Sequence, residues 1–208
     1  MRIFSCRFLL LLSLAAPAEA DTLIGNFSFQ VAPPAVALIY FSEDHSLPMS
    51  LHIEVDQRDK NFVEKMVVGA KGTEILFKNS DSVAHNIYAN DPKSQVNFDA
   101  GLVPPGRSSN LKMDWEEGQV VRIGCKIHPK MQAYIANISS SHYAIVAFKP
   151  SDRKAGFRIE KVPEGLSRIR VWFPKHESVE IDLKKGSSIT VRVSKSGKKD
   201  GDLTLSRQ

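Results

Sequence analysis

Short apolar runs recur along this chain, separated by Pro, Gly, Asn, Asp and Ser, and several alternate apolar with polar positions at a period of two. That is the pattern of half-buried strands. It predicts strands over Val36–Phe41, Ser50–Val55, Lys65–Val68, Glu74–Lys78, His85–Ala89, Asn110–Met113, Gln119–Gly124, Tyr134–Ile138 and Tyr143–Phe148. In the fourth of these, Ile75 and Phe77 point one way while Glu74, Leu76 and Lys78 point the other. Val121, Ile123 and Cys125 likewise share a face, which places the cysteine on the core side of its strand. No segment keeps a helical period over three turns. The expected class is all-β, with short, closely spaced strands forming a β-sandwich.

The texture changes towards the C-terminus. Phe157–Ile159, the turn Val162-Pro163-Glu164-Gly165 and Ile169–Phe173 read as strand, tight turn, strand. Glu180–Leu183, Lys184-Lys185-Gly186 and Ser188–Val193 repeat the pattern. The tail from Lys195, rich in Ser, Gly, Lys and Asp, is expected to fray. No cluster of potential ligands falls here, so this part reads as a small β-sandwich-like structural module.

The start of the chain is of another kind. Met1-Arg2 and Arg7 precede a short apolar run, Phe8 to Leu14, and Ala18-Glu19-Ala20 supplies a small-x-small site. This is the pattern of a signal peptide cleaved after Ala20, too short for a stable membrane anchor. The expected location is therefore periplasmic or secreted. Without residues 1–20, which hold Arg2, Arg7 and Glu19, the net charge falls from +5 to +4. The charge is spread along the chain with no basic-aromatic patch, which argues against a nucleic-acid partner.

Cleavage also removes Cys6 and leaves Cys125 as the single cysteine. An unpaired thiol in an oxidising compartment needs to be buried or ligated. Three and six residues further on lie His128 and Met131, in Gly124-Cys125-Lys126-Ile127-His128-Pro129-Lys130-Met131. Thiolate, imidazole and a weak thioether suit copper cycling between Cu(I) and Cu(II), and a trigonal site needs one more imidazole. His85, after the polar turn Asn79-Ser80-Asp81-Ser82, is the candidate. Zinc fits less well, because structural zinc takes four Cys or His ligands. The competing readings are a buried, unligated Cys125 among ordinary loop histidines, and a copper site of altered geometry open to outside ligands.

The segment Asn79 to Asn86, the forty-residue gap from His85 to Cys125 and the Cys-x2-His-x2-Met spacing resemble the cupredoxins, the type 1 blue copper proteins. The ligand loop is most similar to that of amicyanin. The resemblance implies a Greek-key β-sandwich binding one copper ion, with His85, Cys125 and His128 in a trigonal plane and Met131 as the long axial ligand. It implies that Asn86 pins the ligand loop by hydrogen bonding. It makes His128 the electron port, ringed by Val103, Pro104, Pro105 and Pro129 and flanked by Lys126 and Lys130, and the partner an acidic-rimmed redox protein. Gly124 before the cysteine and the long continuation past Met131 depart from the small electron carriers.

Asp56 to Phe62, the ligand loop and Arg170 to Pro174 resemble exported cupredoxin-like proteins often labelled "methylamine utilization protein". Gly156 to Gly165 resembles the carboxypeptidase regulatory-like β-module. The expected division is a signal peptide over 1–20, a cupredoxin domain over 48–142 and the small module over 143–208. Residues 21–47 are a candidate to complete that module, with Phe27–Phe41 supplying its first strands and the copper domain an insertion.

His45, Met49 and His52 form a further candidate soft-metal group, though their spacing suits a surface loop as well. His142 and His176 are expected to be solvated, and Trp115 and Trp172 to serve packing. Asn26 and Asn137 open glycosylation sequons within or beside strands. No catalytic triad, paired-carboxylate pattern or phosphate loop stands out, and the expected role is one-electron transfer rather than catalysis. Its rivals are copper handling, as a carrier or sensor, and a structural envelope module with a vestigial copper site.

Overall fold

A computed structural model describes residues 21–48, 52–92 and 94–208. The expected signal peptide and Met49 lie outside the described residues. Within them all regular structure is β. Strands β1 (Asp21–Phe29) and β2 (Val36–Phe41) come first. Then follow β3 (His52–Arg58), β4 (Asn61–Phe62), β5 (Met66–Gly69), β6 (Glu74–Asn79), β7 (His85–Asp91), β8 (Val96–Val103), β9 (Ser108–Lys112), β10 (Val120–Cys125) and β11 (Gln132–Asn137). The chain continues through β12 (Tyr143–Ala147), β13 (Lys154–Val162), β14 (Arg168–Trp172), β15 (Val179–Asp182), β16 (Ser188–Lys195) and β17 (Lys198–Arg207).

These strands make four sheets. The order β4-β3-β6-β9 faces β5-β11-β10-β7-β8, and together they form an inserted sandwich. The order β12-β2-β14-β15 faces β13-β1-β17-β16, forming a split sandwich built from both ends of the described chain. Strand β1 lies between β13 and β17, and β2 between β12 and β14.

The period-two pattern decides how the layers stack. All six residues of β2 are buried. Ala37, Ile39 and Phe41 enter the core of the split sandwich, while Val36, Leu38 and Tyr40 face the other way. There they meet Tyr134, Ala136 and Ile138, the outward residues in and after β11, whose Ala133 and Ile135 fill the inserted core. A strand buried on both faces loses the polar alternation of a half-exposed one, and Val36-Ala37-Leu38-Ile39-Tyr40-Phe41 carries none. The four sheets therefore form one stack with three apolar layers. Trp172 edges the middle layer, its ring 5.2 Å from that of Tyr134 in an edge-on pair.

Three expectations change. The tail from Lys195 does not fray: β17 is hydrogen-bonded on both sides, to β1 and to β16, and buries Leu203, Leu205 and Arg207. Its polar composition belongs to the opposite face. Neither of the two strand-turn-strand readings is a hairpin, because β13 and β16 sit in one sheet and β14 and β15 in the other. Those turns are arches across the split sandwich. Strands β4, β8 and β17 are additions to the predicted set, and β1 starts at Asp21, ahead of the Phe27–Phe41 stretch expected to supply first strands.

Candidate metal centre

The inserted sandwich brings its chemistry together at one end. Strand β7 starts at His85, and β10 ends at Cys125 with Cys125 paired to Ile87. The chain then turns through a tight loop closed by the Met131 N–H donating to the His128 carbonyl at 2.9 Å. At Gly124 the tight neighbour is the Tyr88 ring on the paired strand β7: a Cβ there would lie 3.2 Å from it, and 3.5 Å from the Met131 carbonyl oxygen, an ordinary contact.

His85, Cys125 and His128 converge as a potential metal-binding group. Cys125 Sγ is 3.8 Å from His85 Nδ1 and 3.6 Å from His128 Nδ1, and the two nitrogens are 3.1 Å apart. A first-row ion held at about 2.0 Å by imidazole and about 2.3 Å by thiolate in a trigonal plane needs separations of about 3.5 Å (N to N) and 3.7 Å (N to S). The observed triangle fits that need within a few tenths of an ångström. His85 is fully buried, Cys125 nearly so, and His128 is half-buried. Met131 is buried in the same apolar cluster as Cys125. A thiol and two imidazoles facing one another in an apolar end of a core are costly without a common partner, and a soft metal ion supplies one.

Asp81, read from the sequence only as part of a turn, sets the first imidazole. Its Oδ2 lies 3.0 Å from His85 Nε2. A carboxylate there makes Nε2 the protonated nitrogen and leaves the Nδ1 lone pair facing Cys125 and His128. The Lys60 N–H, at 2.7 Å, is the largest influence on the Asp81 carboxyl. Against a raising effect of burial, that bond, the His85 ring and the Ser82 N–H hold it down at about 2. It is an acceptor throughout the neutral range. The turn itself hangs on Asn79, fully buried, whose Nδ2 donates to the carbonyls of Val83 (2.9 Å) and Val103 (2.8 Å). Asn79 thereby ties the His85 turn to the loop carrying Pro104 and Pro105. The signal for these roles was the spacing of an acid four residues before the histidine.

Asn86 holds the ligand loop through its main chain: its N–H donates to Cys125 Sγ at 3.4 Å and its carbonyl accepts the Lys126 N–H at 3.0 Å. Its side chain turns instead to Asp99, at 3.0 Å. Lys126 is also bound to Asp99, Nζ to Oδ2 at 2.6 Å, and this ammonium is the main reason the Asp99 carboxyl lies below its ordinary range. Of the residues expected to ring or flank His128, Pro104, Pro105, Pro129 and Lys130 are exposed, while Val103 is buried opposite His85 in the β7–β8 register. Two apolar side chains next to these in sequence are also exposed and were not expected to be: Leu102 at 62% and Ile127 at 51%.

The other candidates lie elsewhere. His45 and His52 are exposed and, among the described residues, belong to no three-donor group. His142 and His176 are not solvated: their side chains are 17% and 6% exposed and bind the carboxylates of Asp44 and Asp200. Trp115 packs in the inserted core. Asn137 is fully buried and donates to the Trp115 carbonyl, so its sequon is inaccessible in the folded chain, whereas Asn26 is exposed on β1.

No protein-family model and no curated protein matches the chain. Among solved structures, an oxidised amicyanin variant is similar at a TM-score of 0.38 and 15% identity, over 42% of this chain and 82% of that one. A purple cupredoxin from Nitrosopumilus maritimus gives 0.36 and 21%, over 42% of this chain and 99% of that one. The copper-containing nitrite reductase of Thermus scotoductus SA-01 gives 0.37 and 20%, over 41% of this chain and 22% of that one. These likenesses are partial, and the metal centre stands on its own geometry.

Proposed function

We propose that the inserted sandwich is a cupredoxin-type domain that binds one copper ion through His85, Cys125 and His128, with Met131 as a weak fourth ligand. The observation that carries this reading is the buried triangle of Cys125 Sγ and two Nδ1 atoms, 3.1–3.8 Å apart, with one imidazole preset by Asp81. Copper bound there would supply a one-electron Cu(I)/Cu(II) couple. The chain's own part is to hold the donors ready. Strands β7 and β10 fix His85 and Cys125, Asp81 fixes the tautomer, the Asn86 N–H supports the thiolate, and Met131 and Val103 help bury the sulfur.

The role is electron transfer rather than catalysis, in the periplasm or outside the cell. His128 is the port, and Leu102, Ile127, Pro104, Pro105 and Pro129 form an apolar contact surface around it. With Lys126 paired to Asp99, Lys130 carries the uncompensated charge that an acidic-rimmed redox partner would meet, so the salt dependence of association should be shallow. The split sandwich belongs to the same proposal as a carboxypeptidase regulatory-like module, and the whole as a relative of the exported proteins labelled for methylamine utilization.

The test is the visible absorption and EPR spectrum of the Cu(II)-loaded protein beside Cys125→Ser. An intense thiolate-to-copper band with narrow copper hyperfine splitting, both lost in the variant, is expected. A weakly coloured protein that releases copper readily to chelators would favour copper handling. A protein that takes up no copper would leave a structural role.

A further inference from the structure

Three segments must keep register for the proposed centre to stay assembled: β7 at Asn86, the ligand loop at Lys126, and β8 where it approaches the rim. One exposed carboxylate touches all three. Asp99 Oδ1 accepts from Asn86 Nδ2 at 3.0 Å and from the Gly101 N–H at 2.9 Å, and Oδ2 accepts from Lys126 Nζ at 2.6 Å.

The Gly101 contact lies at an irregularity in the sheet. Asn86 pairs with Leu102 while Tyr88 pairs with Asp99, so β8 carries one residue more than β7 between these points. This is a β-bulge, and Gly101 takes a left-handed backbone (φ 77°) within it, a conformation that glycine adopts at little cost. Beyond the bulge, Leu102 faces solvent and Val103 lies buried opposite His85. Bulges of this kind re-aim side chains. Asp99 closes it with a side-chain bond two residues ahead.

The Asn86 contact leads to the sulfur. The amide is fixed through Asp99, its own Oδ1 being buried with no hydrogen-bond partner. The backbone of the same residue donates to Cys125 Sγ and accepts from Lys126. Hydrogen bonding at the cysteine sulfur tunes a copper–thiolate centre.

We infer that Asp99 is a positioning residue for the metal centre: one carboxylate locks the β8 bulge, the first-histidine strand and the ligand loop in a single register. The inference rests on the copper reading for its functional meaning, but its geometry does not, and the two can be tested apart. Amide hydrogen exchange is measured by NMR on the metal-free protein for wild type, Asp99→Ala and Asp99→Asn, and copper affinity by competition with a chelator.

In Asp99→Ala, exchange at Gly101 and Lys126 should rise about two- to tenfold, the change expected for losing one net hydrogen bond. Copper affinity should fall about tenfold. Asp99→Asn retains an acceptor for Asn86 and Gly101 and loses the ion pair, so Gly101 exchange should stay near wild type. A folded Asp99→Ala protein with unchanged Lys126 exchange and unchanged copper affinity overturns the inference. Faster exchange in a protein whose wild type binds no copper sustains the positioning role and removes the copper reading instead.

Discussion

Asp44 sits where the chain passes between the two sandwiches. The outward crossing runs from Phe41 at the end of β2 to His52, and the return crossing from Asn137 at the end of β11 to Tyr143. Asp44 lies in the first, only 6% exposed, and ties both. Its Oδ1 accepts the Ser46 N–H at 3.0 Å; its Oδ2 takes the Ser140 hydroxyl at 3.0 Å, the Ser141 N–H at 2.9 Å, the His142 N–H at 3.1 Å and His142 Nδ1 at 2.8 Å. Burial by itself would raise this carboxyl. The bonds from Ser46, His142 and Ser140 outweigh burial and hold it far below the ordinary carboxylate range.

Replacing Asp44 with Ala strands the Ser46 and Ser141 N–H groups, while the His142 N–H keeps the Ser140 hydroxyl at 3.2 Å and the His142 ring keeps the Ser141 hydroxyl at 3.3 Å. Hydrogen bonds to a charged acceptor are each worth about 1.5–3 kcal/mol. Because the bonds share one carboxylate they do not add, and we expect a loss of about 3 kcal/mol. The pH dependence follows from the direction of the shift. The folded carboxyl ionises below its unfolded value of about 3.9, so its contribution is complete above that pH and is lost as the solution is acidified through the folded value. Urea unfolding of the metal-free wild type and Asp44→Ala should therefore show the full gap near neutrality and a narrowing gap below about pH 4. His142, the titratable group bonded to Asp44, is controlled with His142→Gln. A neutral-pH gap under about 0.5 kcal/mol, the level of an ordinary surface substitution, or a gap constant into acid, would refute the argument.

Three further outcomes are expected. Asp81→Ala should weaken copper binding about 10- to 100-fold in chelator competition, as loss of the carboxylate behind a ligating histidine does; unchanged affinity would show that His85 needs no such support. Arg207→Ala should cost about 3–5 kcal/mol in denaturant unfolding, because buried Arg207 joins buried Asp21 at 3.0 Å and also donates to the carbonyls of Pro163 and Leu183; a loss under about 1 kcal/mol would show that the pair is replaceable. Leu38→Ala should cost about 2–5 kcal/mol, and because Leu38 lies in the layer between the sandwiches, fluorescence of Trp172 at that layer should change on unfolding earlier than that of Trp115 in the inserted core. Coincident shifts of both signals would show that the layer is not a separate point of failure.

The local patterns were legible in the sequence. Period-two alternation marked most strands, since a strand's two faces are written two residues apart, and Ile75 and Phe77 are indeed both fully buried. The cysteine, second histidine and methionine fall within seven residues, so one loop brings them close whatever the rest of the chain does. Tertiary structure decided what depended on distant partners. Strand β17 read as a polar tail because its apolar face is only Leu203 and Leu205, and its place is settled by pairing with β1, with Arg207 bound to Asp21 across 186 positions. Asp44, Asp81 and Asp99 look alike in a sequence, since a carboxylate is polar whether it meets water or a buried donor. Packing alone separates them: Asp44 joins the two crossings, Asp81 orients the first imidazole, and Asp99 ties the register around it.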